Sequence, residues 1–251
     1  MRVLTRGLLA LAALGLATAA AAAASPAIEA ALNDPSRPAA EKARDADRKA
    51  GEIVAMTGVK PGWNVADVFP GGGYYTRIFA KVVGPNGHVY GVVPGDLQER
   101  GFHPSDMVKK LAAEPGYANV SPAVDPLQTW TPSPRLDLIF ISQFYHDMHN
   151  PGMGGPDIAA EDKGLFNALK PGGILFIIDH SAPAGSGTSD TATTHRIDEA
   201  AAKRELEAAG FRLVSESDVL RNPADPRTKL VFDPSIRGHT DQFILKFQRP
   251  R

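Results

Sequence analysis

The sequence predicts an α/β fold built on one sheet of seven mainly parallel strands with helices on both faces. Three observations carry that reading. Short β-branched runs alternate with helical stretches from Trp63 onward. Two of the runs, Leu138-Ile139-Phe140-Ile141 and Ile174-Leu175-Phe176-Ile177-Ile178, are apolar without alternation, as expected of strands buried on both faces. A glycine turn, Gly71-Gly72-Gly73, lies between the first strand and the helix that follows it.

Taken in order, the first 24 residues place Arg2 and Arg6 ahead of an apolar run from Gly7 and end in an alanine tract with several A-x-A sites. That is the pattern of a secretory signal peptide, and the tract lacks the Leu, Ile and Phe density of a stable membrane span. Residues 1–24 are therefore expected to be cleaved, leaving 25–251 as a single domain, periplasmic or secreted, with no stable membrane anchor. Ser25 to Pro38 reads as a short helix and loop, and Ala39 to Gly58 as one charged amphipathic helix closed by Gly58-Val59-Lys60-Pro61-Gly62.

Strands are expected at Trp63–Phe69, His88–Val93, Ala118–Val124, Leu136–Ser142, Ile174–Asp179, Phe211–Ser217 and Gln242–Phe247. Between them, helices fit at Tyr75–Val83, Pro104–Ala113, Ile158–Leu169 and Thr194–Ala209, the last with Gly210 as its C-terminal stop. Two irregular stretches, Met148 to Gly155 and Ala182 to Thr193, each start beyond the carboxyl end of a strand, the edge where open α/β sheets hold ligands. The stretch from Arg221 to Thr240 is a long insertion between the last two strands, long enough to cover a site with Phe232, Asp233 and Arg237.

With 251 residues, 43% hydrophobic and 22% charged, the chain suits one ordinary globular core. Its formal net charge is -1; without Arg2 and Arg6 it becomes 25 basic against 28 acidic residues, or -3, which gives no electrostatic basis for nucleic acid or anionic lipid as partner. No cysteine is present, so disulfides, thiolate metal sites and thiol nucleophiles are excluded.

The stretch Val65-Ala66-Asp67-Val68-Phe69-Pro70-Gly71-Gly72-Gly73-Tyr74-Tyr75-Thr76 has the layout of a nucleoside-binding first βα unit. Its glycines let backbone approach a ligand, amides at the helix start accept an anion, and an acid at the strand end pairs with an amine or hydroxyl. Past the fourth and fifth strands stand Tyr145-His146-Asp147 and Asp179-His180, with His195 and Asp198 near the next helix. Histidine suits proton removal at neutral pH, and a neighbouring carboxylate orients it. His146, His149 and His180 also offer imidazoles for a metal, which keeps a metal-assisted hydrolase open.

Together with Leu169-Lys170-Pro171-Gly172-Gly173 and Glu207-Ala208-Ala209-Gly210-Phe211, the glycine turn resembles the class I S-adenosylmethionine-dependent methyltransferases from about Ala39 to the C-terminus. Within them it more closely resembles a bacterial group of predicted methyltransferases with signal peptides, through Phe69-Pro70-Gly71-Gly72-Gly73-Tyr74-Tyr75-Thr76, Tyr145-His146-Asp147, Asp179-His180-Ser181-Ala182-Pro183, His195-Arg196-Ile197-Asp198 and Leu220-Arg221-Asn222-Pro223 with Phe232-Asp233. The resemblance implies a Rossmann-like methyltransferase fold, S-adenosyl-L-methionine as cofactor and a small-molecule acceptor. It assigns the methionine end of the cofactor to Asp67, Gly71, Gly72 and Gly73, the adenine amino group to Asp125, and catalysis to Tyr145, His146, Asp147 and His180, with Asp96 the residue able to reach the ribose in place of the family's acid. The chain departs from the pattern at Phe69, which replaces the first glycine, and at Gly91-Val92-Val93-Pro94-Gly95, which lacks the ribose acid. Those departures leave open a protein that binds a nucleoside-type ligand without turning it over.

Overall fold

The computed structural model describes residues 24–93, 95, 103–150 and 157–251. The expected signal peptide up to residue 23, Asp96 and residues 151–156 of the first irregular stretch lie outside them. In chain order the elements are α1 (Pro26–Asn33), α2 (Ala39–Lys42), α3 (Ala50–Thr57), β1 (Asn64–Val68), α4 (Tyr74–Val83), β2 (His88–Val92), α5 (Ser105–Ala112), β3 (Val120–Ala123) and β4 (Leu136–Ser142). There follow a 3-10 helix (His146–His149), α6 (Ile158–Ala168), β5 (Leu169–His180), α7 (Glu199–Ala209), β6 (Arg212–Ser217) and β7 (Gln242–Gln248).

The strands form one sheet in the order β3-β2-β1-β4-β5-β7-β6, all parallel except β7, which runs antiparallel to both neighbours. This is the expected seven-stranded, mainly parallel α/β architecture. The chain winds outward from β1 through β2 to β3 and then returns to place β4 on the other side of β1. The carboxyl ends of β1 and β4 thus flank a topological switch point, where an open sheet leaves a crevice.

Apolar residues on the two faces build two cores. Ile53, Phe79, Phe140 and Phe176 pack on one side beneath α1, α3 and α4; Leu165, Leu206, Phe211 and Phe247 pack on the other beneath α6 and α7. The unbroken apolar runs of β4 and β5 feed both cores at once, alternate residues facing opposite ways.

Two expected helices are shorter than the periodicity suggests. Ala39–Gly58 is interrupted by turns over 43–49, ending at Lys49 in the left-handed region (φ 48°). There Asp45 takes both terminal nitrogens of the buried Arg37 at 2.8 Å and accepts the Tyr74 hydroxyl at 2.6 Å, and the tertiary pair outweighs helix propensity. Helix α7 starts at Glu199, not Thr194, because Asp198 caps it: its side chain accepts the N–H of Ala200 at 3.0 Å and that of Gly185 at 2.9 Å. Conversely, β5 begins at Leu169, ahead of the expected Ile174, since Leu169 pairs with Leu136 across a register shift.

Candidate functional site

Asp67, the penultimate residue of β1, is buried and accepts the hydroxyl of Thr76 from the first turn of α4 at 2.6 Å. Burial pushes its carboxyl up to about 7, against the opposing hydrogen bonds from Thr76. In the turn that follows, Phe69 holds φ 54°, so the backbone conformation that suits glycine is kept although the residue is not glycine. Its ring stacks on Phe144 with centroids 4.2 Å apart, a contact that holds the strained residue in place.

The three glycines divide by role. A Cβ on Gly73 (φ 85°) would lie 2.4 Å from Leu111 Cδ1, so this glycine serves close packing of α5 on the turn. Gly71 (φ 56°) and Gly72 have nothing within 4 Å of a Cβ position and present bare backbone to a cavity of about 230 Å³. Asp67, Phe69, Tyr75 and Gln143 line that cavity, and Glu41, Arg44 and Arg48 close it from the N-terminal segment. One carboxylate oxygen of Glu41 pairs with Arg77 at 2.8 Å; the other, Oε2, is buried without a partner. Burial raises the pKa of this carboxyl despite the charge of Arg77.

A second cavity of about 460 Å³ adjoins the first and shares Arg44, Arg48, Tyr75, Ser142 and Gln143 with it. Its far wall includes His180 and, from the insertion before β7, Phe232, Arg237 and His239. The insertion is pinned from beneath by Arg196 and Asp225, both fully buried, paired through two nitrogens at 2.9 and 3.1 Å. Arg196 also donates to the carbonyls of Ser181 and Lys229. Within the cavity His180 contacts Thr240 Oγ1 through Nδ1 at 2.7 Å, and burial lowers its pKa to about 3, so it is a neutral imidazole.

The 3-10 helix sorts the other catalytic candidates. His146 is anchored twice to the buried Asp179, by its backbone N–H and by Nδ1, both at 2.7 Å. Burial opposes its protonated form, but the Asp179 charge and hydrogen bond outweigh that and raise its pKa. Its Nε2 meets His195 Nδ1 at 3.3 Å and Asp147 Oδ1 at 3.4 Å, and His195 Nδ1 meets Asp147 Oδ1 at 3.0 Å. The His180 ring stands 5.8 Å from that of His146.

Tyr145 is turned the other way: its hydroxyl lies 2.9 Å from Asp162 and 3.2 Å from Glu205, beneath α6 and α7. His149 joins the same buried group through Glu205 at 3.0 Å, so His146, His149 and His180 do not form the metal cluster their spacing allowed. Of the catalytic candidates only His180 lines the larger cavity. Asp125 is exposed just beyond β3 and lines neither cavity, and Asp96 lies outside the described residues. Sequence reasoning missed Arg44, Arg48, Tyr75, Ser142 and Gln143. The arginines looked like the solvated face of a helix, whereas Ser142 and Gln143 were legible as the carboxyl end of a central strand beside the one ending in Asp67.

No protein-family model matches the chain. It is 25% identical over 195 residues to a ubiquinone/menaquinone biosynthesis C-methyltransferase of Ectopseudomonas mendocina, covering 77% of this chain and 65% of that protein. To the enzyme of the same description from Hydrogenovibrio crunogenus it is 31% identical over 133 residues, covering 51% and 46%. The chain thus spans about half to two thirds of the length of these relatives. Among solved structures, a SAM-dependent methyltransferase from Aquifex aeolicus superposes with TM-score 0.57 at 22% identity, over 88% of this chain and 96% of that one. The [4+2]-cyclase SpnF superposes with TM-score 0.61 at 19% identity, over 82% of each chain. A glycopeptide N-methyltransferase solved with sinefungin gives TM-score 0.53 at 15% identity, over 82% and 87%. The protein has the Rossmann-like α/β fold of the solved class I methyltransferases.

Proposed function

We propose that the chain is an S-adenosylmethionine-dependent methyltransferase acting on a small-molecule acceptor. The observation that carries this reading is the pair of cavities meeting at Tyr75, Ser142 and Gln143, at the carboxyl ends of the strands flanking the switch point. The smaller cavity fits the amino-acid end of the cofactor. Bare backbone at Gly71 and Gly72 admits close approach, Arg44 and Arg48 suit a carboxylate, and the unpartnered Glu41 Oε2 suits an ammonium. When bound, S-adenosylmethionine supplies an electrophilic methyl group on a sulfonium.

The residues of the chain then chiefly bind and align. The acceptor lies in the larger cavity against Gln143 and the neutral His180, which accepts or donates a hydrogen bond without carrying charge. Asp179, held by His146, fixes the start of the His180 backbone through a 2.7 Å hydrogen bond. With Arg44 and Arg48 given to the cofactor carboxylate, Arg237 remains on the wall of the larger cavity with Asp47 as its acid, and it suits an acceptor group bearing negative charge.

Calorimetric titration with S-adenosylmethionine and with its demethylated product tests the reading. Micromolar binding of both, lost in Asp67→Ala, is the expected result; absence of binding to either sinks it. A second reading, a binding protein without turnover, is favoured by Phe69 in the glycine position; it predicts the same binding and no methyl transfer to any acceptor. Export completes the proposal. The N-terminal sequence of the protein recovered from cell fractions is expected to begin after about residue 24, as signal-peptide cleavage requires. No helix among the described residues is long and apolar enough to cross a membrane.

A further inference from the structure

We propose that His146, Asp147 and His195 form a binding site for one divalent first-row transition metal ion, of which Zn²⁺ is the first to test. The three ligand atoms, His146 Nε2, Asp147 Oδ1 and His195 Nδ1, are separated by 3.3, 3.0 and 3.4 Å and converge on one point. A position just out of their plane lies about 2 Å from all three, the length of zinc bonds to imidazole and carboxylate. Two of these contacts are too long for good hydrogen bonds, and the spacing is that of donor atoms around a shared ion. Two imidazoles and a carboxylate suit zinc, iron and manganese, and three protein ligands leave a coordination position open.

The surroundings are built as metal sites are. Asp179 fixes His146 through Nδ1, leaving the lone pair of Nε2 for the cluster, an arrangement in which an outer carboxylate orients a ligating histidine. Asn150 donates to the ligating oxygen of Asp147 at 2.9 Å. His195 is brought in from the loop after β5 with its backbone in the left-handed region (φ 55°), an uncommon conformation that histidine adopts more readily than most residues. Its side chain is 28% exposed, against 2% for His146, so the open position faces outward, beside the Phe232 ring 5.2 Å away. Water or an oxygen ligand reaches the ion from that side. Phe232 and His180 also line the larger cavity, which places the metal next to the acceptor and apart from the cofactor cradle.

The test uses the full domain, stripped with a chelator and titrated with Zn²⁺ alone, with Co²⁺ as an optical probe. One equivalent is expected to bind with proton release, and Co²⁺ to develop the visible absorption of a low-coordinate site. His195→Asn, whose side chain tolerates a left-handed backbone, and Asp147→Ala are each expected to weaken binding more than about 100-fold; Asp179→Asn, acting through orientation, by about 10- to 100-fold. His149→Ala, at a histidine of the same 3-10 helix that is engaged with Glu205, leaves binding unchanged. Failure of the unaltered protein to bind a stoichiometric ion overturns the proposal. So does binding that survives both His195→Asn and Asp147→Ala, or that falls equally in His149→Ala. Because no cofactor enters these titrations, their failure leaves the methyltransferase reading untouched.

Discussion

Gly71 and Gly73 both sit at positive φ, two residues apart, yet their surroundings separate binding from stability. Alanine at position 73 must displace Leu111 Cδ1 as well as adopt a left-handed backbone, and a loss of roughly 2–3 kcal/mol is expected. Alanine at position 71 meets no atom and costs only the left-handed backbone, about 1–2 kcal/mol, but its methyl projects into the smaller cavity. Denaturant unfolding combined with cofactor titration distinguishes the two. Gly71→Ala is expected to lose affinity with near-normal stability, and Gly73→Ala to lose stability first. The reverse pattern would mean that the cradle has been assigned to the wrong glycine.

At the scale of elements, the insertion between β6 and β7 brings Phe232, Arg237 and His239 over the larger cavity without regular secondary structure of its own. What holds it is a buried ion pair with satisfied hydrogen bonds. Asp225 takes Arg196 and the backbone N–H groups of Arg227 and Asp241, and although burial opposes its ionisation these contacts keep its pKa below the usual carboxylate range. Asp225→Ala leaves the Arg196 guanidinium buried and uncompensated, at a cost of about 3–5 kcal/mol. Limited proteolysis is expected to cut this variant within residues 218–241 long before the sheet unfolds, and resistance equal to that of the unaltered chain would contradict the role given to the pair.

For the whole molecule, buried titrating groups pull stability in opposite directions with pH. Asp67 and Asp162 are pushed up to about 7 by burial, so the folded chain holds protons that the unfolded chain has released. Their favourable contribution is complete below about pH 4 and is lost as the pH rises through about 7. His180 behaves oppositely: its contribution is present above its unfolded value of 6.5 and is lost as the pH falls toward about 3. Asp162→Asn keeps an acceptor for the Tyr145 hydroxyl and removes the charge. Its melting temperature is expected to exceed that of the unaltered protein by roughly 5 °C at pH 8, a gain of about 2 kcal/mol, and to match it near pH 4. Equal melting curves at both values would show that Asp162 is not held protonated by its burial.

The same molecule separates what a linear sequence encodes from what only folding decides. The strands were legible because a buried parallel strand must be apolar on both faces, as the inner runs Leu138–Ile141 of β4 and Ile174–Ile178 of β5 are. Asp67 and the glycine turn were legible because a backbone that approaches a ligand needs residues without side chains. By itself the sequence thus determined the fold class, the first βα unit and the edge of the sheet where the cavities lie. It did not determine which way Tyr145 and His146 point: successive residues of a 3-10 turn project about 120° apart, so one enters the group beneath α6 and α7 and the other meets Asp179. Nor did periodicity reveal the breaks at Asp45, which takes Arg37 and the distant Tyr74 hydroxyl, and before Asp198, which takes the backbone N–H of Gly185. Arg44 and Arg48 became cavity residues, and His195 joined His146 and Asp147, only through those breaks. Such convergence depends on contacts between segments tens of residues apart, and no local pattern in the chain records them.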